Sequence, residues 1–439
     1  MSPEKILTPE ELSPRQSAIS VGIIAIMFFI FGFVSWVNAI LIPYFKIACE
    51  LKGNVESYLV TFAFYISYLV MSVPAAELLK KIGFKKGIMT GFLIMSTGAL
   101  IFIPAALGRT YGIFLIGLFT LGAGLSILQT AANPYITILG PKESAARRFS
   151  LMGIANKGAG ILAPLIFAAV VLRATDTDLF RSLETMDEAA KASALDELIR
   201  RVITPYAVVG SVLALLGLAI RYSPLPEIQT AEEQREEQRP DNKKSILEFP
   251  HVVLGALAIF FHVGTQVISI DTVISYAEGM GLTLPEAKAF PSFTLTATIT
   301  GYLLGISLIP AVISQRTALR VCTLLGLLFT LSALGLHQKV QWFGYPVNVS
   351  IWFIVLLGLA NALVWAGIWP LAMDGLGRFT KKGSSLLIMG LCGNALMPLA
   401  YGWLADKTNL TTGYWILVPC YLYLIWYSFI GHQIKSWKF

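Results

Sequence analysis

The chain is 439 residues long, 56% hydrophobic and only 13% charged, with a mean hydropathy of +0.70. That balance excludes a single soluble core wrapped in a polar shell. A net charge of +7 could serve nucleic acid, but the basic residues sit in loops between apolar segments, where membrane topology uses them, so no nucleic-acid partner is expected.

Taken in chain order, apolar segments fall at 18–44, 57–81, 87–107, 111–138, 149–173, 204–222, 250–277, 289–313, 318–337, 347–373, 384–405 and 412–433. At about 1.5 Å per residue each is long enough to cross roughly 30 Å of hydrocarbon. The expected fold class is therefore an all-α membrane protein of about twelve transmembrane helices. A β-barrel is excluded, because its strands alternate in runs of about ten residues. Lys80, Lys81, Lys85 and Lys86 follow span two, Lys142, Arg147 and Arg148 span four, Arg316 and Arg320 span eight, and Arg378, Lys381 and Lys382 span ten. These loops share one side. The positive-inside rule makes it the cytoplasm, with both termini there as well. The first span is too long for a signal-peptide core and is expected to stay. Cys49, Cys322, Cys392 and Cys420 have no paired spacing, and no metal or cofactor is expected.

Two polar stretches interrupt the spans. Residues 174–203 are acidic and helix-prone and read as a surface helix or cap on the outer side. Residues 223–249 are charged and Pro-punctuated and read as a cytoplasmic linker between an N-terminal six-span half, 1–222, and a C-terminal one, 250–439. Internal similarity supports two halves. LGAGLSILQTAANP places Gly122 and Pro134 at the separation that LGLANALVWAGIWP gives Gly358 and Pro370. Met152-Gly153 aligns with Met389-Gly390 and Lys157 with Asn394. Matching Gly32 to Gly264 sets Ala39 opposite Asp271.

The stretches NAILIPYF, GFKKGIMTGF, LQTAANPYITILGP and FSLMGIANKGAG resemble the fucose:proton symporter family of the major facilitator superfamily, which includes fucose permease and bacterial glucose/galactose transporters. The resemblance covers nearly the whole chain. It implies two pseudo-symmetric six-helix halves and alternating-access uptake of a small sugar, driven by a proton or sodium gradient, by a protein that works as a monomer. The departures are specific. Where the family reads Asn-Asp-Ile-Leu in span one, this chain has Asn38-Ala39, so the coupling carboxylate is missing. The Glu of the proton-coupled members in span four is Gln129, and the residue after Asn156, commonly Ser, is Lys157.

Neutral sugars are recognised by amides and by aromatic faces. Asn38, Gln129, Asn133, Asn156, Gln266, Asn361 and Asn394 supply amides within the spans, and Trp36, Tyr65, Tyr68, Trp365 and Trp369 supply rings. Some of these amides serve only to bind helix to helix, at about 1 kcal/mol each. An ionisable residue as deep as Lys157 is a functional candidate by default. Asp271, nearer the outer face, and His262, near mid-span, complete the candidates for ion coupling or gating. Three coupling schemes follow. Asp271 binds the proton or sodium with Lys157 tuning it; or Lys157 itself carries the proton; or Lys157 is a fixed cation and the protein is an uncoupled facilitator or takes an acidic or amino sugar. No HExxH, nucleophile elbow or paired intramembrane carboxylates argue for an enzyme. A sugar-sensing receptor and a drug or lipid exporter on the same fold are the remaining rivals.

Overall fold

The computed structural model describes residues 14–138, 145–173, 175–183, 185–223, 245–309, 311–376 and 379–437. Most of the 223–249 linker, together with Lys142, Arg147 and Arg378 or their side chains, lies outside the described residues, as do the side chains of Lys80, Asn133 and Lys381.

The first span is two helices, α1 (Pro14–Trp36) and α2 (Asn38–Ala48). Pro43 leaves the Ala39 carbonyl without its helical donor. Just before it the chain tightens at Val37, whose carbonyl accepts from both Ile40 and Leu41 at 3.2 Å. Then come α3 (Asn54–Ile82), α4 (Phe84–Leu107), α5 (Tyr111–Ile138) and α6 (Ala145–Val171). Two shorter helices, α7 (Asp176–Ser182) and α8 (Glu188–Arg200), lead into α9 (Ile203–Tyr222). The second half opens with α10 (Pro250–Asp271), α11 (Val273–Glu278) and α12 (Leu284–Ala287). It continues with α13 (Phe290–Leu308) and α14 (Gln315–Gly335). Next are α15 (Ser350–Asn361), α16 (Val364–Met373), α17 (Thr380–Met389) and α18 (Gly393–Lys407). Last come α19 (Leu410–Gly413) and α20 (Leu417–Phe429).

Among the described residues, 11 helical segments are long and apolar enough to cross a membrane. The twelfth expected span is helical too, but runs as α19, a 3-10 turn at Tyr414–Ile416 and α20. Pro419 lies in the first turn of α20, where its missing N–H costs least.

The 174–203 stretch is the helical cap expected of it. Leu195, Leu198 and Ile199 are buried beneath α8, and Tyr44 donates to the Leu198 carbonyl. Asp176 is buried and accepts from Arg201 at 2.7 and 2.9 Å. Nearby, a hydrogen bond from Lys191 holds the Glu50 carboxyl below its ordinary range. A hairpin not expected from the sequence pairs β1 (Lys339–Trp342) with β2 (Tyr345–Asn348). Its turn puts Phe343 at φ 53° and Gly344 at φ 84°, the backbone of a tight two-residue hairpin loop.

Both described termini lie at one end of the bundle, where Trp437 donates to the Leu247 carbonyl and Lys435 pairs with Asp374. At the opposite, far end the two halves are locked together. Asp406, at the end of α18, accepts from the Asn54 and Val55 backbone N–H groups, both at 3.2 Å, and from Asn54 Nδ2 at 2.6 Å, capping α3 across the interface. Tyr58 meets Tyr401 edge-on at 5.9 Å, Thr61 donates to Asp271 at 3.0 Å, and Ser292 donates to the Ile161 carbonyl at 3.1 Å.

Within each half, close helix crossings rest on glycine. A Cβ at Gly122 would overlap the Phe64 carbonyl, and one at the repeat-matched Gly358 would overlap the Thr294 carbonyl. At Gly32 a Cβ would run into the Asn156 carbonyl, whereas Gly22 of the same helix faces open space. Gly32→Ala is therefore expected to destabilise by about 1–3 kcal/mol through overpacking. Gly22→Ala, in an exposed helix position, should be neutral or mildly stabilising. Thermal unfolding of the two variants in detergent checks this; equal midpoints would show that the α1–α6 contact can spread at no cost.

Candidate functional site

The contact that Gly32 permits brings α1 against α6 and sets the geometry of a cavity between the halves. Trp36, the last residue of α1, donates its indole N–H to Asn156 Oδ1 at 3.1 Å, and Asn156 Nδ2 donates back to the Phe28 carbonyl at 3.2 Å. The amide is thus held in one orientation by two bonds to one helix. One residue on, Lys157 extends across to the other half, where its ammonium donates to Gln266 Oε1 at 3.1 Å and lies 3.9 Å over the Trp36 ring.

Lys157 is only 5% exposed. Placing an ammonium at membrane depth costs at least a few kcal/mol. A desolvated cation–π contact contributes about 2 kcal/mol, and a charge-assisted hydrogen bond about 1.5–3 kcal/mol. The two contacts offset the burial cost on its own scale, and they use the ring face and one of three ammonium protons. No ion pair to Lys157 is found among the described residues.

Around this pair the halves enclose a void of about 140 Å³, room for on the order of ten waters and the scale of one monosaccharide. The N-terminal half contributes Trp36, Tyr65, Tyr68, Gln129, Asn156 and Lys157. The C-terminal half contributes His262, Gln266, Tyr302, Trp365 and Asn394. Gln129 donates to the Tyr68 hydroxyl at 2.9 Å, and Tyr68 stacks with Tyr65 at 6.0 Å. Trp365 stacks on Trp369 at 5.4 Å, which fixes the indole that faces the void. Phe149, Ser150 and Gly153, in the first turns of α6, also line it, so the cavity runs from mid-depth towards the end that carries the termini.

Of the residues singled out in the sequence, Trp36, Tyr65, Tyr68, Gln129, Asn156, Lys157, His262, Gln266, Trp365 and Asn394 meet at this one cavity. The others stand elsewhere in this state. Asn38 is fully buried at the start of α2, with neither side-chain polar atom bonded among the described residues. Asn361 lies behind the wall, its Oδ1 within 3.1 Å of both the Thr265 and Tyr421 hydroxyls. Asn133 belongs to α5, with its side chain outside the described residues. Asp271 is not the exposed helix-end acid that its position would allow. It is 1% exposed, bonded through Oδ2 to Thr61, and its Oδ1 has no partner among the described residues. Ala39 packs with Trp36, Ile270 and Leu295, beside the helix end that carries Asp271. Tyr302 and Phe28 were missed: a lone aromatic in an apolar span gives no signal of which way it faces.

Residues 24–401 match the Major Facilitator Superfamily. A glucose/galactose transporter of Brucella abortus is 30% identical over 97% of both chains, and an L-fucose-proton symporter of Escherichia coli is 27% identical over 93% of this chain and 92% of that protein. A solved structure of the fucose:proton symporter FucP in its outward conformation is 26% identical and superposes with a TM-score of 0.71, covering 95% of this chain and 99% of that one. The chain belongs to the Major Facilitator Superfamily.

Proposed function

We propose that the chain carries a monosaccharide across a bacterial inner membrane by alternating access, in symport with a proton bound at Asp271. The observation that supports this best is the cavity itself. It lies between two helical halves and is walled by amides and aromatic rings that match hydroxyls and sugar C–H faces. It extends towards one end of the bundle while Asp406, Tyr58, Thr61 and Asp271 seal the other. The relatives named above transport glucose, galactose or fucose, the last with protons, in keeping with this reading.

In the proposed topology both termini are cytoplasmic, the halves divide at 223–249, and the protein acts as a monomer. At the terminal end the first two turns of α4 and α14 carry Lys85, Lys86, Arg316 and Arg320. At the far end Arg109, Lys191 and Arg201 are engaged with acidic partners. The state described is then inward-facing.

Asp271 supplies the coupling by burial. A lone carboxylate sealed away from water costs several kcal/mol unless it carries a proton or meets a cation, and no cation pairs with Asp271 among the described residues. The far end therefore closes over Asp271 when the proton is bound. This group stands opposite Ala39 in the internal repeat, in the half that does not carry the family's first-span carboxylate.

Two outcomes are expected. In proteoliposomes Asp271→Asn, a permanent mimic of the protonated side chain, should retain sugar counterflow and lose accumulation driven by an imposed proton gradient; accumulation at the wild-type level would remove Asp271 from coupling, and accumulation indifferent to proton and sodium gradients in the wild type would make the protein a facilitator. Asp406→Ala removes the cap that holds α3 to α18, worth about 1–2 kcal/mol. Spin labels at Lys52 and Lys407 should then report a several-fold larger population with the far end open, and an unchanged distance distribution would show that the cap does not hold the seal.

A further inference from the structure

We propose that the sugar taken up is an acid, a uronate or aldonate whose carboxylate docks on the Lys157 ammonium. This rests on the monosaccharide reading above and narrows it to one substrate class. Lys157 is fixed by Trp36 and Gln266 at the cavity wall, with a charge that no acidic side chain neutralises among the described residues. No Asp or Glu is among the described residues lining the cavity. Gln266 and the Trp36 ring leave part of the ammonium's donor capacity unused, and the adjoining space is the cavity itself.

Charge decides between the sugar derivatives that the polar wall would otherwise accept. A neutral hexose leaves the ammonium paired only with an amide and a ring, in a site where water is replaced by ligand and the unneutralised charge becomes more costly. An amino sugar brings a second cation with no carboxylate to meet it. A sugar phosphate brings close to two negative charges, more than the single ammonium balances, and no Arg lines the cavity among the described residues. One carboxylate against one ammonium balances the site, and the remaining hydroxyls fall to Gln129, Asn156 and Asn394. With the proton of the proposed symport, the load crossing the membrane carries no net charge.

The test measures binding of D-galacturonate, D-glucuronate, D-galactose, D-glucose, D-glucosamine and D-glucose 6-phosphate to the purified full-length protein by titration calorimetry. Lys157→Gln and Lys157→Arg are measured beside the wild type. The uronates should bind at least about ten-fold more tightly than their parent hexoses, the scale of one charge-assisted hydrogen bond. Lys157→Gln should erase that margin, and Lys157→Arg should keep part of it. A hexose, amino sugar or sugar phosphate that binds as well as the uronates, or a margin that survives in Lys157→Gln, overturns the proposal. If a neutral or amino sugar binds, the monosaccharide reading stands. Binding of none of the six would count against both. Should Lys157→Gln be unstable in detergent, the wild-type preference of uronate over hexose decides alone.

Discussion

The hydrogen bond from Trp36 to Asn156 joins the end of α1 to the middle of α6, and the cavity is arranged around it. Within a bilayer a polar group finds its partner inside the protein or pays several kcal/mol, so this bond does more than hold two helices. It turns the indole so that its face lies under the Lys157 ammonium, and it takes Asn156 Oδ1 while Phe28 takes the Nδ2. The bond requires α1 and α6 to approach within backbone contact, which the missing side chain of Gly32 allows. The break at Val37 directly follows the indole, so α2 can leave on a different path towards the far end. One glycine, one indole and one proline in a short segment thus position the charged centre of the site.

The same economy shapes the interface between the halves. The far-end contacts link α3 to α18, α3 to α10 and α6 to α13, and most of their strength is in hydrogen bonds to backbone or to a single hydroxyl. A neutral contact of this kind contributes about 1 kcal/mol and one to the Asp406 carboxylate about 1.5–3 kcal/mol, whereas at crossings within a half such as Gly32, Gly122 and Gly358 whole backbones meet. Polar latches at one end of the interface, with the cavity reaching towards the other, suit rocking about a central site.

The architecture was legible from the sequence because span length is set by bilayer thickness, a constraint that each segment meets separately. The helical stretch within 174–203 was legible because its polarity breaks the apolar pattern. What faces what was less so. Asn38 and Asn156 look alike as amides in apolar runs, yet one is sealed at a helix start and the other lines the void. Spans that are apolar all round carry no stripe to mark the inward face, and this is also why Tyr302 escaped notice. The hairpin at 339–348 escaped because its alternation is short and ends in aromatic residues, which read as the rim of the next span; its Phe343-Gly344 turn was the available clue.

Lys157 and Asp271 carry opposite formal charges and do not pair; their separation follows from α10. That helix supplies Gln266, which accepts from the ammonium, and Asp271, which ends it inside the far-end seal. Five residues of helix place the two about 7.5 Å apart along the axis, and no break in hydrogen bonding divides them. A rigid displacement of α10 against α3 and α6 therefore changes both contacts in one movement: it alters the partner of the cation in the cavity and the shelter of the carboxylate above it. The proposed sugar and proton sites then have no need of a chain of intermediates between them. Their coupling is the stiffness of less than two turns of helix.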